Sequence, residues 1–150
     1  MKFQEVYLLI QVNYLGNVYC CHYALPHLLK AQGQIICISS LQGKITAPFH
    51  SGYSPSKHAL QGFYDGLRME LGKKINILMV YPTWIHGTAL RDRAFCIHAA
   101  QKPSSRSKHL LTLELCTQKI IMAIRKKKQE LTLPNNKVSF LLKFITTYRI

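Results

Sequence analysis

Ser40-Leu41-Gln42-Gly43-Lys44-Ile45-Thr46-Ala47-Pro48-Phe49-His50-Ser51-Gly52-Tyr53-Ser54-Pro55-Ser56-Lys57 is the stretch whose reading decides the fold. It follows Gln34-Ile35-Ile36-Cys37-Ile38, a continuous apolar, β-branched run of the kind a parallel strand buried on both faces requires. It runs into a helical pattern over residues 54–71. A serine therefore stands at the carboxyl end of a strand, a loop with Gly and Pro follows, and Tyr53 and Lys57 open a helix. Residues at i and i+4 share a helix face, so the phenol and the ammonium can point into one site. Ligands of open α/β sheets bind just beyond the carboxyl ends of the strands. The layout suits proton exchange with a bound carbonyl or alcohol.

Working outward, Ile75-Asn76-Ile77-Leu78-Met79-Val80-Tyr81 reads as the next parallel strand, and strand–helix–strand in this order makes a right-handed crossover. Upstream, residues 6–29 carry no formal charge, but Gln11, Asn13, Asn17, His22, Pro26 and His27 interrupt them too often for a lipid-exposed helix. A buried or interface helix is expected, closed by a turn at Gln32-Gly33. Downstream, residues 113–128 read as a helix with Leu113, Cys116, Ile120, Ala123 and Ile124 on its apolar face. Its end carries Arg125-Lys126-Lys127-Lys128, cations that complement a helix dipole. Residues 130–133 form a short strand stopped by Pro134, and residues 137–150 an amphipathic helix with basic flanks.

At 150 residues, 48% hydrophobic and 17% charged, the chain is a globular domain large enough for a real core. Its net charge of +14 is uneven: seven basic against three acidic residues up to Ile75, thirteen against three beyond it. That balance favours anionic partners, whether membrane surfaces, nucleic acids or phosphorylated cofactors, without choosing among them. No aromatic–basic stacking motif or helix-turn-helix supports nucleic acid. The five cysteines form no C-x-x-C pair, so they read as small hydrophobes rather than metal ligands or a disulfide framework. No secretory signal pattern opens the chain.

Ser40, twelve intervening residues, then Tyr53-x-x-x-Lys57 resembles the catalytic core of the short-chain dehydrogenase/reductase family. Asn13, in Val12-Asn13-Tyr14-Leu15-Gly16, resembles the asparagine that completes the family's tetrad. Ile38-Ser39-Ser40-Leu41-Gln42-Gly43-Lys44, Lys57-His58-Ala59-Leu60 and Gly66-Leu67-Arg68-Met69-Glu70 are similar to its hydroxysteroid-dehydrogenase-like branch, near dehydrogenase/reductase member seven and its B and C relatives. The resemblance implies a doubly wound, parallel-sheet α/β Rossmann fold of which residues 1–134 are the catalytic half, with residues 135–150 as an added basic helix. It implies an NAD- or NADP-dependent oxidoreductase acting on a lipophilic alcohol or ketone, steroid or retinoid among the candidates. It also implies a homodimer, and membrane association at the endoplasmic reticulum, with a cytoplasmic protein as the alternative.

The resemblance assigns roles residue by residue. Tyr53 is the general acid/base, Lys57 tunes it and binds the nicotinamide ribose, Ser40 holds the substrate oxygen, and Asn13 holds a relay water. A nearby cation would lower a phenol whose reference pKa is about 10. After the second strand, Pro82-Thr83-Trp84-Ile85-His86-Gly87-Thr88 stands where the family carries Pro-Gly-x-Ile-x-Thr at the nicotinamide end. Pro82, Thr83, Ile85 and Thr88 are the corresponding cofactor residues, although Thr83 replaces the glycine and Thr88 falls one residue late. Ser39 is the rival to Ser40.

The eight glycines form neither G-x-x-x-G-x-G nor G-x-G-x-x-G, so the turn that places pyrophosphate on a helix N-terminus is missing from these residues. Three readings stand open: the catalytic half of a longer oxidoreductase, a non-enzymatic truncated relic that dimerises through its helices, or a basic membrane-surface or nucleic-acid-binding protein. The isolated chain is expected to bind no nicotinamide dinucleotide at micromolar concentration.

Overall fold

The computed structural model describes residues 2–46, 49–86, 88 and 111–133. Along them run α1 (Phe3–Ile10), a π-helical turn (Gln11–Leu15), α2 (Gly16–Lys30), β1 (Gln34–Ile38), a 3₁₀ turn (Leu41–Gly43), α3 (Tyr53–Leu71), β2 (Asn76–Pro82), α4 (Leu113–Arg125) and β3 (Glu130–Leu133). The sheet is parallel throughout, in the order β1-β2-β3. Gln34 pairs with Asn76 and Ile38 with Val80, while Met79 pairs with Glu130 and Pro82 with Leu133.

Strand β2 explains the layering. Side chains alternate across a strand, so Ile77, Met79 and Tyr81 enter one core with Leu60, Tyr64 and Leu67 of α3 and Cys21 of α2. Leu78 and Val80 enter the other, with Cys116 and Ala123 of α4 and Leu131 and Leu133 of β3. A strand apolar on both faces is stable only between two layers, which is the doubly wound α/β arrangement.

Strand β1 departs from the expectation of full burial. Ile35 and Cys37 are buried against the first core, whereas Ile36 is half-buried and Ile38 is 50% exposed. The reason is that α4 lies over β2 and β3, so that among the described residues this face of β1 is only partly covered. Among the described residues nothing pairs with the outer edge of β1.

The helix ends also refine the sequence reading. At the end of α2 it is Gln32, not Gly33, that takes the left-handed conformation (φ 51°). Gly33 is small for a different reason: a Cβ there would lie 3.0 Å from Leu28 Cδ2. Helix α4 stops at Arg125 rather than Lys128, because Lys127 turns left-handed (φ 48°) and the Lys128 N–H donates back to Ala123 O. Leu113 is half exposed, so the apolar face of α4 begins at Cys116. Cys21, Cys37 and Cys116 are buried as expected, but Cys20 is exposed. No helix among the described residues is long and apolar enough to cross a membrane. The expected helix over 137–150 lies outside the described residues.

Two substitutions in α3 test this packing. Leu60→Ala, at a fully buried position, is expected to cost about 2–5 kcal/mol in urea unfolding. Gly62→Ala, which meets nothing within 4 Å, is expected to stabilise by about 0.5–1 kcal/mol.

Candidate active site

Three elements meet at the carboxyl edge of the sheet. Ser40 leaves β1 in extended conformation (φ −156°, ψ 159°) and caps the 3₁₀ turn, its Oγ accepting from the Gln42 N–H at 3.2 Å. Gln42 Oε1 in turn accepts from Ser54 Oγ at 2.7 Å, in the first turn of α3. The serine loop is thereby tied to the helix that starts with Tyr53. Pro55 sits in that same first turn, where its missing N–H removes no helix bond.

The third element is the π-helical turn. Asn13 Nδ2 donates to Ser56 Oγ at 3.1 Å, and the Ser56 hydroxyl donates to Tyr53 O at 2.7 Å. Ser54 and Ser56 are both buried. One turn along α3, Lys57 Nζ lies 5.7 Å from the centroid of the Tyr53 ring. Asn13, Ser40, Tyr53 and Lys57 are thus held about one helix end by a shell of Gln42, Ser54 and Ser56. Those three were not singled out from the sequence. The signal was present in Ser54-Pro55-Ser56, whose serines flank a proline inside a first helical turn.

Ser39 and Ser40 have different surroundings. Ser39 is buried beneath the loop, its N–H bonded to Val80 O, and its Oγ has no hydrogen-bond partner among the described residues. Ser40 is half-buried, and its hydroxyl acts on the phenol of Tyr53 so as to lower its pKa. Gly43 lets the loop approach: a Cβ there would stand 2.8 Å from Ser39 Oγ and 3.0 Å from Lys57 O.

The electrostatics differ from the sequence expectation. Burial raises the Tyr53 phenol above its ordinary 10.0, and the hydrogen bond from Ser40 works the other way. The Lys57 ammonium is not what moves the phenol; it is itself pushed below its ordinary 10.5 by burial, with Cys37 opposing. Both groups are drawn toward their neutral forms by desolvation.

Pro82 ends β2, and the Thr83 N–H bonds Leu133 O at 3.0 Å. Ile85 bridges to Leu111, and the Thr88 hydroxyl turns back to Ile85 O at 3.2 Å. These residues leave the same edge of the sheet as Ser40. Gly87 lies outside the described residues.

A family model described as short chain dehydrogenase matches residues 1–95. The chain belongs to the short-chain dehydrogenase family. The mouse protein "Dehydrogenase/reductase SDR family member 7B" is 44% identical over 79 residues, 51% of this chain and 24% of its own length. A Dictyostelium discoideum "Dehydrogenase/reductase SDR family protein 7-like" is 35% identical over 122 residues, 81% of this chain and 38% of its own. Among solved structures, the Sphingobium yanoikuyae short-chain dehydrogenase in complex with NADPH superposes with a TM-score of 0.78 at 15% identity. That match covers 99% of this chain and 56% of the other. A Burkholderia cenocepacia J2315 short chain dehydrogenase in complex with NADP gives 0.73 at 19% identity, over 93% and 54%. This short-chain dehydrogenase chain thus spans about a quarter to two-fifths of those curated relatives and rather more than half of the solved structures.

Two tests follow from the geometry. Gly43→Ala must push the 3₁₀ turn off α3 and is expected to cost about 1–3 kcal/mol in urea unfolding, with the Ser39 and Lys57 amides shifting most in NMR spectra. For the titration, a lysine whose folded pKa is depressed binds fewer protons folded than unfolded. Its contribution to stability therefore rises with pH between the folded pKa and 10.5. Tyr53 has the opposite sign, losing stability as pH climbs past 10.0. Urea melts of the parent and Lys57→Met are expected to diverge in the parent's favour as pH rises toward 10.5; parallel profiles would contradict the buried ammonium.

Proposed function

We propose that these residues form the proton-transfer centre of an NAD(P)-dependent short-chain oxidoreductase acting on the alcohol or carbonyl of a lipid-like substrate. The observation that supports it is the convergence of Ser40, Tyr53, Lys57 and Asn13 about one helix end, with a phenol kept protonated at neutral pH. In the reducing direction the Tyr53 O–H donates its proton to the substrate oxygen. The Ser40 hydroxyl hydrogen-bonds that oxygen and stabilises the charge developing on it. Lys57 offsets the charge left on the phenolate. Asn13 orders the Ser56 end of the helix and the water by which the phenolate is reprotonated.

The fit of a nicotinamide dinucleotide to these residues is partial. Lys57 Nζ makes no hydrogen bond or ion pair among the described residues, so its N–H donors suit the hydroxyls of a nicotinamide ribose. Pro82, Thr83, Ile85 and Thr88 are proposed to line the nicotinamide end. No glycine-rich turn is present for the pyrophosphate. When bound, the dinucleotide supplies or accepts the hydride. The relatives named for hydroxysteroid dehydrogenases, such as that of Pinus massoniana at 38% identity over 85 residues, favour a steroid-like or other lipophilic substrate.

A second reading is favoured by one observation. Phe3 (84% exposed) and Tyr7 of α1, Val12 of the π-helical turn, and Tyr19 and Tyr23 (75%) of α2 are large apolar side chains left exposed. Their exposure suits a homodimer or a membrane surface, and would serve a non-enzymatic protein of this fold equally well.

Calorimetry of the 150-residue chain with NADH or NADPH is expected to show no saturable micromolar binding; saturable binding overturns that part. Fusing a Gly-rich dinucleotide-binding βαβ unit ahead of residue 2 is expected to give NAD(P)H-dependent ketone reduction, lowered about 10²–10⁴-fold by Tyr53→Phe. Equal rates with and without the phenol would remove Tyr53 from its role. Absence of any turnover from the fusion would leave the second reading.

A further inference from the structure

The first helix is α-helical over Phe3–Ile10 and Gly16–Lys30 but π-helical between them, at Gln11–Leu15, where Gly16 N–H donates to Gln11 O. No proline lies within the turn to force the change. A π-turn carries one extra residue, is rare, and collects at functional sites. Something must stabilise it against the ordinary helix.

The side chains nearest the turn supply a reason. Asn17 Nδ2 donates to the carbonyl of Asn13 at 2.9 Å, inside the turn. Asn17 Oδ1 in turn receives the Cys37 thiol at 3.9 Å, from strand β1 beneath. Cys37 shares the buried core beneath the turn with Tyr64 of α3. The thiol is buried, and burial pushes it up to about 11, so it remains an S–H donor at neutral pH. Asn17 thus fastens the turn to the floor of the sheet, while Asn13 fastens it to Ser56 of α3.

The extra residue has a consequence upstream. In an α-helix each residue advances the chain by about 100°, so the insertion rotates α1 by about that much against α2. In that orientation Val6 and Leu9 lie on Gly52, the residue before Tyr53. A Cβ on Gly52 would stand 3.2 Å from Leu9 Cδ1 and 3.3 Å from Val6 Cγ2.

We propose that Asn17, anchored by Cys37, is a positioning residue: it holds the π-turn, which seats α1 on Gly52 and Asn13 on Ser56, and so fixes where Tyr53 stands. Asn17 touches neither substrate nor cofactor in this scheme. The consequence for catalysis rests on the reading of Tyr53 given above; the structural claim does not.

The test uses the ¹⁵N-labelled 150-residue chain and reads amide hydrogen exchange together with the Asn13 side-chain amide resonances. Asn17→Ala is expected to speed exchange at residues 11–16 about tenfold or more and to move the Asn13 NH₂ signals toward those of a free amide. Amides of Leu78, Met79 and Val80 are expected to stay as they are. Alanine is the best helix former, so propensity alone predicts the opposite change. Cys37→Ala is expected to give a smaller effect in the same direction, and Cys37→Ser, which keeps a donor, to restore the parent's behaviour. Unchanged exchange at 11–16, or an equal rise across β2, overturns the proposal. Should Asn17→Ala not fold, Asn17→Asp keeps the acceptor for Cys37 and loses the donor to Asn13, and the same two outcomes decide. None of these readouts needs turnover, so they stand apart from the outcome of the Tyr53→Phe experiment. In the active fusion, Asn17→Ala is expected to lower kcat with little change in KM.

Discussion

The structure depends on the burial of β2 between two layers. Ile77, Met79 and Tyr81 need α2 and α3 on one side, and Leu78 and Val80 need α4 on the other. Parallel pairing with β1 then obliges α3 to run back across the sheet, which brings its first turn to the carboxyl edge. Tyr53 and Lys57 stand over that edge because the crossover begins there. Site and core are one construction, and the site inherits its rigidity from the most deeply buried strand.

Around that edge, small polar side chains fix positions that packing alone leaves loose. Ser40 reaches Ser54 through Gln42, and Asn13 reaches Tyr53 through Ser56. Each link is short, neutral and at least partly buried, so each costs little desolvation and is hard for water to replace. Lys44 adds a charged tie farther out, pairing with Glu130 at 2.8 Å across the ring of Tyr81. It joins the loop after β1 to the start of β3 and so braces the serine turn from its far side. A surface pair of this kind contributes modestly.

Apolar side chains are left exposed in both halves of the described residues. The outer edge of β1, the exposed Ile38 and the exposed aromatics of α1 and α2 belong to the first half of the described residues. On the other face of the sheet Leu131 and Leu133 of β3 are buried, while Leu113, Leu115, Ile121 and Met122 of α4 are exposed as well. The relatives and solved neighbours are longer than this chain.

The sequence by itself determined the class of fold and the order of its main elements. Apolar runs at Gln34–Ile38 and Ile75–Tyr81, with a 3.6-residue period between them, leave few alternatives to a parallel crossover. The spacing of Ser40, Tyr53 and Lys57 made the candidate site legible, because strand end and helix start are both marked in the residues. What only tertiary structure decided was everything set by contacts distant in sequence. The exposure of Ile38 follows from where α4 lands and the raised phenol of Tyr53 from how deeply the edge is buried, and the π-turn meets, through Asn17, a thiol on the strand beneath it. None of these has a local period or propensity to reveal it, since each arises from groups the fold alone brings together.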